Sequence, residues 1–122
     1  MVPRFNYSQA DINTRVSNIS NYDNVIEAIG RQLGVEIALI KAVIAVESSG
    51  NPRAGEGRVT GAKGLMQIID QTWRSTIENF PDVNYKGTSI SNYKERDINN
   101  AWADTGLNVL VGTLTLILKA RS

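Results

Sequence analysis

Apolar positions recur along this chain at helical spacing, and polar or glycine-rich stretches separate them. Ser8 to Ile19 is polar and is read as a short helix with Ser8 as its N-cap. Val25, Ile26, Ile29 and Leu33 then lie on one face of a helix from Asn24 to Leu33. Asn24 and Glu27 have capping-box spacing, and Gly34 suits the left-handed residue that ends a helix. From Glu36 to Ser48 the sequence is apolar nearly all round: Ile37, Ala38, Leu39, Ile40, Ala42, Val43, Ile44, Ala45 and Val46. Such a helix is expected at the centre of a domain. Its β-branched content would also allow a strand, but its length and the flanking Gly34 and Gly50 favour a helix.

Gly50, Gly55, Gly57, Gly61 and Gly64, with Pro52, make the following stretch a loop. Leu65 to Ile69 leads into a helix from Gln71 to Asn79, with Asp70 as N-cap. Phe80 to Tyr93 carries Pro81, Gly87 and several Asn and Ser residues, and reads as irregular. The last helix is expected from Asn99 to Ala120, where Leu107, Leu110, Val111, Leu114, Ile117 and Leu118 form an apolar stripe. Asp104, Asn108, Gly112 and Thr115 form a second stripe, small and polar. No strand is strongly predicted, so the fold class is mainly α.

At 122 residues the chain is expected to form one domain, and 42% hydrophobic with 20% charged residues is ordinary for a globular protein. The net charge of +1 and the scattered Lys and Arg argue against a nucleic-acid partner, which would select a basic stripe. There is no histidine and no cysteine, which excludes disulfides, thiol nucleophiles, Ser/His/Asp triads and His- or Cys-based metal sites. No cofactor and no metal are expected. Met1 to Ser20 is polar and shows no signal peptide. The strongest apolar run, Ile37 to Val46, is too short to span a membrane and contains Lys41.

The candidate chemistry lies at Glu47. It follows Val43 and Ile44 at helical spacing, so its carboxyl continues an apolar stripe and is partly desolvated. Desolvation disfavours the charged form and favours a carboxyl able to donate its proton. Glycines in the loop that leaves the same helix end let backbone approach a ligand. The free N–H groups and the amide of Gly64-Leu65-Met66-Gln67 suit sugar hydroxyls and N-acetyl groups. Glu56 and Asp70 are candidates for a second carboxylate. Asp70 is better read as a cap and Glu56 as solvent-exposed.

The ordered residues Glu47-Ser48-Ser49-Gly50-Asn51-Pro52 and Gly61-Ala62-Lys63-Gly64-Leu65-Met66-Gln67-Ile68 resemble the signature of the soluble lytic transglycosylase family, which is similar in fold to goose-type lysozyme. Thr72-Trp73 fits the same pattern, and Asn108-Val109-Leu110-Val111-Gly112-Thr113-Leu114 resembles the family's later Asn/Gly helix. The resemblance covers roughly Val25 to Leu118. It implies a lysozyme-like domain, 1–122, with a central buried helix and an N-terminal extension over 1–23.

The resemblance also implies peptidoglycan glycan strands as partner and the bacterial cell wall as place of action. The implied chemistry is cleavage of the β-1,4 bond between N-acetylmuramic acid and N-acetylglucosamine to give 1,6-anhydromuramic ends. Glu47 would act first as acid and then as base, and Ser48, Met66, Gln67 and Asn108 would bind substrate. A lysozyme-type hydrolase or a non-catalytic peptidoglycan-binding fragment of the same fold are the alternatives. The family's later segment, whose tyrosine touches the catalytic acid, has no counterpart before Ser122, and Tyr7 or Tyr22 are candidates to replace it. Arg58 stands near the place where the family often carries a serine.

Overall fold

The computed structural model describes residues 8–122. Helix α1 spans Gln9–Ile19 and begins where the Ser8 hydroxyl accepts the Asp11 N–H. Helix α2 (Asp23–Leu33) ends at Gly34, whose φ of 69° is left-handed. It does not start in the expected capping box. Tyr22 holds the N-cap position without a side-chain bond, and Glu27, inside the helix, faces Arg31 at 3.9 Å. Helix α3 covers Ile37–Ser48 and α4 covers Asp70–Asn79.

Asp70 is not the cap of α4. Ile69 occupies that place, and Asp70 sits in the first turn, where its carboxylate favours the helix dipole and accepts from Arg74 at 3.2 Å. The irregular stretch after α4 contains a small antiparallel hairpin, β1 (Asn84–Tyr85) with β2 (Thr88–Ser89). Helix α5 spans Thr105–Arg121 and begins later than the apolar pattern indicates. Asp104 accepts the Leu107 N–H and caps it, while Asn99 and Asn100 before it are left-handed, with φ of 53° and 54°. Two such residues interrupt helical propagation whatever the pattern around them.

The fold is mainly α around a central buried helix, and that helix is α5. Every residue from Leu107 to Thr115 is buried, with α2 and α4 packed along it. The expectation that Ile37 to Val46 forms the centre is therefore corrected. On α3 only Ile40, Ile44 and Ser48 are buried, along one i, i+4 stripe, and Leu39 is 47% exposed. A uniformly apolar helix has no preferred side, so its neighbours decide which stripe is covered. Here α1 and α2 border α3. In α5 the polar stripe does not prevent burial, because its groups find internal partners. Thr115 bonds Thr76 at 2.9 Å and the Val111 carbonyl at 2.8 Å, and Asn108 is fully engaged as described below.

One-sided burial of α3 has a measurable consequence. Ile44→Ala empties a site that is 0% exposed and should cost about 2–5 kcal/mol in urea unfolding. Leu39→Ala, on the open side, should stay within about 0.5 kcal/mol of the parent. Equal losses would contradict this placement.

Candidate functional site

Glu47 lies in the last turn of α3, half-buried, seven residues after Ile40 and three after Ile44. It thus borders the stripe that faces the core. The helix closes immediately after it. The Ser48 hydroxyl donates to the Ile44 carbonyl at 3.3 Å and accepts the Gly50 N–H at 3.2 Å. Ser49 is left-handed at φ 56°.

The glycine loop returns to this region as a tight turn. Lys63 and Ile68 exchange backbone bonds of 3.4 and 3.1 Å, and the Gln67 N–H closes on the Gly64 carbonyl at 3.1 Å. Gln67 is left-handed at φ 51°. Its side-chain amide donates to the carbonyls of Ala54 and Gly64, both at 3.0 Å. The amide nitrogen therefore braces the loop against its own turn.

The turn is locked onto α5. The Asn108 side chain accepts the Met66 N–H at 2.8 Å and donates to the carbonyls of Trp102 at 2.8 Å and Lys63 at 3.3 Å. A Cβ at Gly64 would come within 2.1 Å of the Asn108 amide nitrogen, so only glycine admits this approach. One turn further along α5, a Cβ at Gly112 would lie 2.4 Å from the Met66 sulfur. The Gly–x–Met of the loop and the Asn–x₃–Gly of the helix are two halves of one contact.

Arg96 completes the clamp, and no sequence pattern indicates it. Its side chain is 1% exposed, and Nη1 donates to the carbonyls of Gly61 at 2.8 Å and Ile68 at 2.7 Å. Its Nε lies 3.5 Å from Asp97, which also binds the Lys63 ammonium at 3.3 Å. Lys63 and Arg53 lie over the buried Trp102 ring, 5.3 and 5.4 Å from its centroid. These cation–π contacts tie both limbs of the loop to the segment before α5.

The sequence-predicted site residues therefore divide. Glu47 and Gln67 are half-buried. Ser48, Met66 and Asn108 are buried, at 9%, 0% and 1% exposure, and their polar groups are committed to the protein itself. The Ser48 and Asn108 side chains thus bond to the protein itself, and the backbone at Met66, expected beside the sugar, is held in place by Asn108.

Neither candidate second carboxylate is open. Glu56 is exposed, and both its oxygens accept from Arg53, at 2.6 and 2.7 Å. The hydrogen bond from Arg53, more than the charge attraction, holds this carboxyl below the ordinary range. Asp70 is paired with Arg74, and its second oxygen lies 4.0 Å from Arg96.

Tyr22 packs against the hydrophobic core, and Tyr7 lies outside the described residues. Tyr85 donates to Asp104. Burial first, and this bond second, push its phenol well above the ordinary range. It is thus a fixed donor between the hairpin and α5. Among the described residues no acidic group cluster could hold a metal, and no helix is long and apolar enough to cross a membrane.

The buried amide carries a stability prediction. Asn108→Ala strips the partner from the Met66 N–H and from the Trp102 carbonyl, each worth roughly 1–3 kcal/mol when orphaned, while the Lys63 carbonyl keeps the Ile68 N–H. Its loss of unfolding free energy should exceed that of Gln67→Ala, which removes two donated bonds of about 1 kcal/mol each from a half-buried turn. Denaturant titration of both variants gives the comparison, and a near-neutral Asn108→Ala would contradict the clamp.

No match is found among curated proteins or solved structures. The family comparison does give a match, to the transglycosylase SLT domain over residues 24–114. That span holds Glu47, the glycine loop, the Met66 turn and the Asn108–Gly112 contact. On this evidence of sequence and architecture, the chain belongs to the SLT-domain family of lytic transglycosylases, lysozyme-like proteins of cell-wall peptidoglycan.

Proposed function

We propose that the protein cleaves peptidoglycan glycan strands at the β-1,4 bond between N-acetylmuramic acid and N-acetylglucosamine, with Glu47 as its acid and base. The observation that carries this reading is the place of Glu47, half-buried in the last turn of α3 beside the core stripe and inside the span that matches the family. Glu56 and Asp70, the candidates for a second carboxylate, are each held by an arginine. A two-carboxylate scheme needs a second group poised to activate water or to attack the sugar. Carboxylates committed to guanidinium partners are poor choices for either task.

One carboxyl suffices for the intramolecular route. Glu47 gives its proton to the glycosidic oxygen as the C1–O4 bond breaks. The C6 hydroxyl of the same muramic residue then bonds to C1, and its proton returns to Glu47. No water is consumed, and the products are a 1,6-anhydromuramic end and a free N-acetylglucosamine hydroxyl. An attacking hydroxyl within the same sugar has an effective concentration that solvent does not match.

The loop's contribution in this scheme is shape. The clamp made by Asn108, Arg96 and Gln67 holds the backbone from Gly61 to Ile68 in one position, so the surface offered to the glycan is preorganised. Met66 and Asn108 support that surface from behind. The place of action in this reading is the bacterial cell wall.

Glu47→Gln keeps the size of the side chain and removes the titrating proton. Turnover of purified cell wall should fall by at least the ~10²–10⁴-fold typical of general acid–base catalysis, while sedimentation with the wall persists. Turnover at the parent rate in this variant would end the assignment.

A further inference from the structure

Helix α1 lies outside the span that matches the family, yet it reaches the helix end that carries Glu47. The Arg15 guanidinium donates to the Ala45 carbonyl, and the Asn18 side chain donates to the Ser49 carbonyl at 3.0 Å. Ile19 is buried at the same junction. The approach is close enough that a Cβ at Gly50 would sit 2.8 Å from the Asn18 Cβ.

These contacts answer a specific need of α3. The last carbonyls of a helix have no intrahelical donor, and the last turn frays unless something else supplies one. The last turn of α3 carries no basic residue, and its cap is a left-handed serine rather than a glycine. Glu47 lies between the two carbonyls that α1 serves. A cleft of about 380 Å³ lies beside the same helices, walled mostly by apolar side chains (Val16, Ala38, Ala42 and Ala45) together with Asp23 and Lys41.

We propose that α1 is a positioning element for Glu47, acting through Asn18 and Arg15 on the terminal carbonyls of α3. This rests on the reading of Glu47 as the acid. A catalytic group has to be held within about 0.5 Å of its productive place, and fraying by about one ångström can cost on the order of 10²-fold in rate. Loss of one of two donors should cost less than that. Neither residue touches substrate in this account, so the effect belongs in kcat and not in KM.

The test uses soluble, uncrosslinked glycan strands as substrate and the variants Asn18→Leu, Arg15→Gln and Arg15→Lys in the full chain. Asn18 is exposed, so its replacement is compatible with folding. Asn18→Leu and Arg15→Gln should each lower kcat by about ten-fold with KM within about two-fold, the signature of a defect confined to the transition state. Arg15→Lys retains a donor and should recover part of the loss. If kcat is unchanged in Asn18→Leu and Arg15→Gln, or if KM rises while kcat holds, the proposal is overturned. Should Arg15 variants fail to fold, Asn18→Leu alone decides. Glu47→Gln in parallel separates the two ideas: an active Glu47→Gln refutes the acid assignment, whereas an inactive one beside unaffected α1 variants refutes only the positioning role.

Discussion

The contact between the Asn108 side chain and the Met66 turn is the constraint on which the rest of this structure depends. One buried amide bonds the Met66 N–H and the Lys63 carbonyl of the turn and the Trp102 carbonyl before α5. Unpaired, the Met66 N–H and the Trp102 carbonyl would each carry a desolvation cost comparable to a lost hydrogen bond. The arrangement is possible because Gly64 has no Cβ to exclude Asn108, and because Gly112 leaves room for Met66. Helix α5 can then run through the centre of the protein with a polar stripe and still be buried. The glycine-rich loop gains a rigid floor although much of its tip is exposed.

Much of the fold was legible in local patterns. The α1 N-cap at Ser8, the left-handed Gly34, the end of α3 at Ser48 and the end of α4 at Asn79 are short-range events, and the sequence signals them directly. The misreadings concern competition and neighbours. Asn24 and Asp70 both have capping chemistry, yet Asn24 is the second residue of its helix and Asp70 the first, because Tyr22 and Ile69 hold the cap positions without a side-chain bond. The apolar run of α3 suggested a centre, but burial depends on what surrounds a helix, and composition does not contain that. The start of α5 was displaced by Asn99 and Asn100, residues tolerant of left-handed backbone.

The site was legible in a different sense. The residues of the two motifs do come together, but mostly to hold each other. Ser48, Met66 and Asn108 read as ligand contacts when seen as a pattern, and the structure shows them buried, with Ser48 and Asn108 bonded to the protein itself. Arg96, Arg15 and Asn18 carried no signal, because a lone arginine or asparagine in a polar stretch looks like surface until the fold brings backbone carbonyls to it. The buried guanidinium of Arg96 at 1% exposure shows how much of the loop's definition comes from outside its own sequence.

The electrostatic picture around the loop leads to one chemical claim. In the proposed reading Glu47 is the acid and base, and with Glu56 and Asp70 committed to arginines the muramic sugar closes on itself without water. Mass spectrometry of glycan fragments from purified cell wall digested by this protein tests that claim most directly. The account predicts 1,6-anhydromuramic ends, lighter by one water than the hydrolytic product and absent after digestion with Glu47→Gln. A digest in which muramic acid ends are chiefly reducing would contradict it.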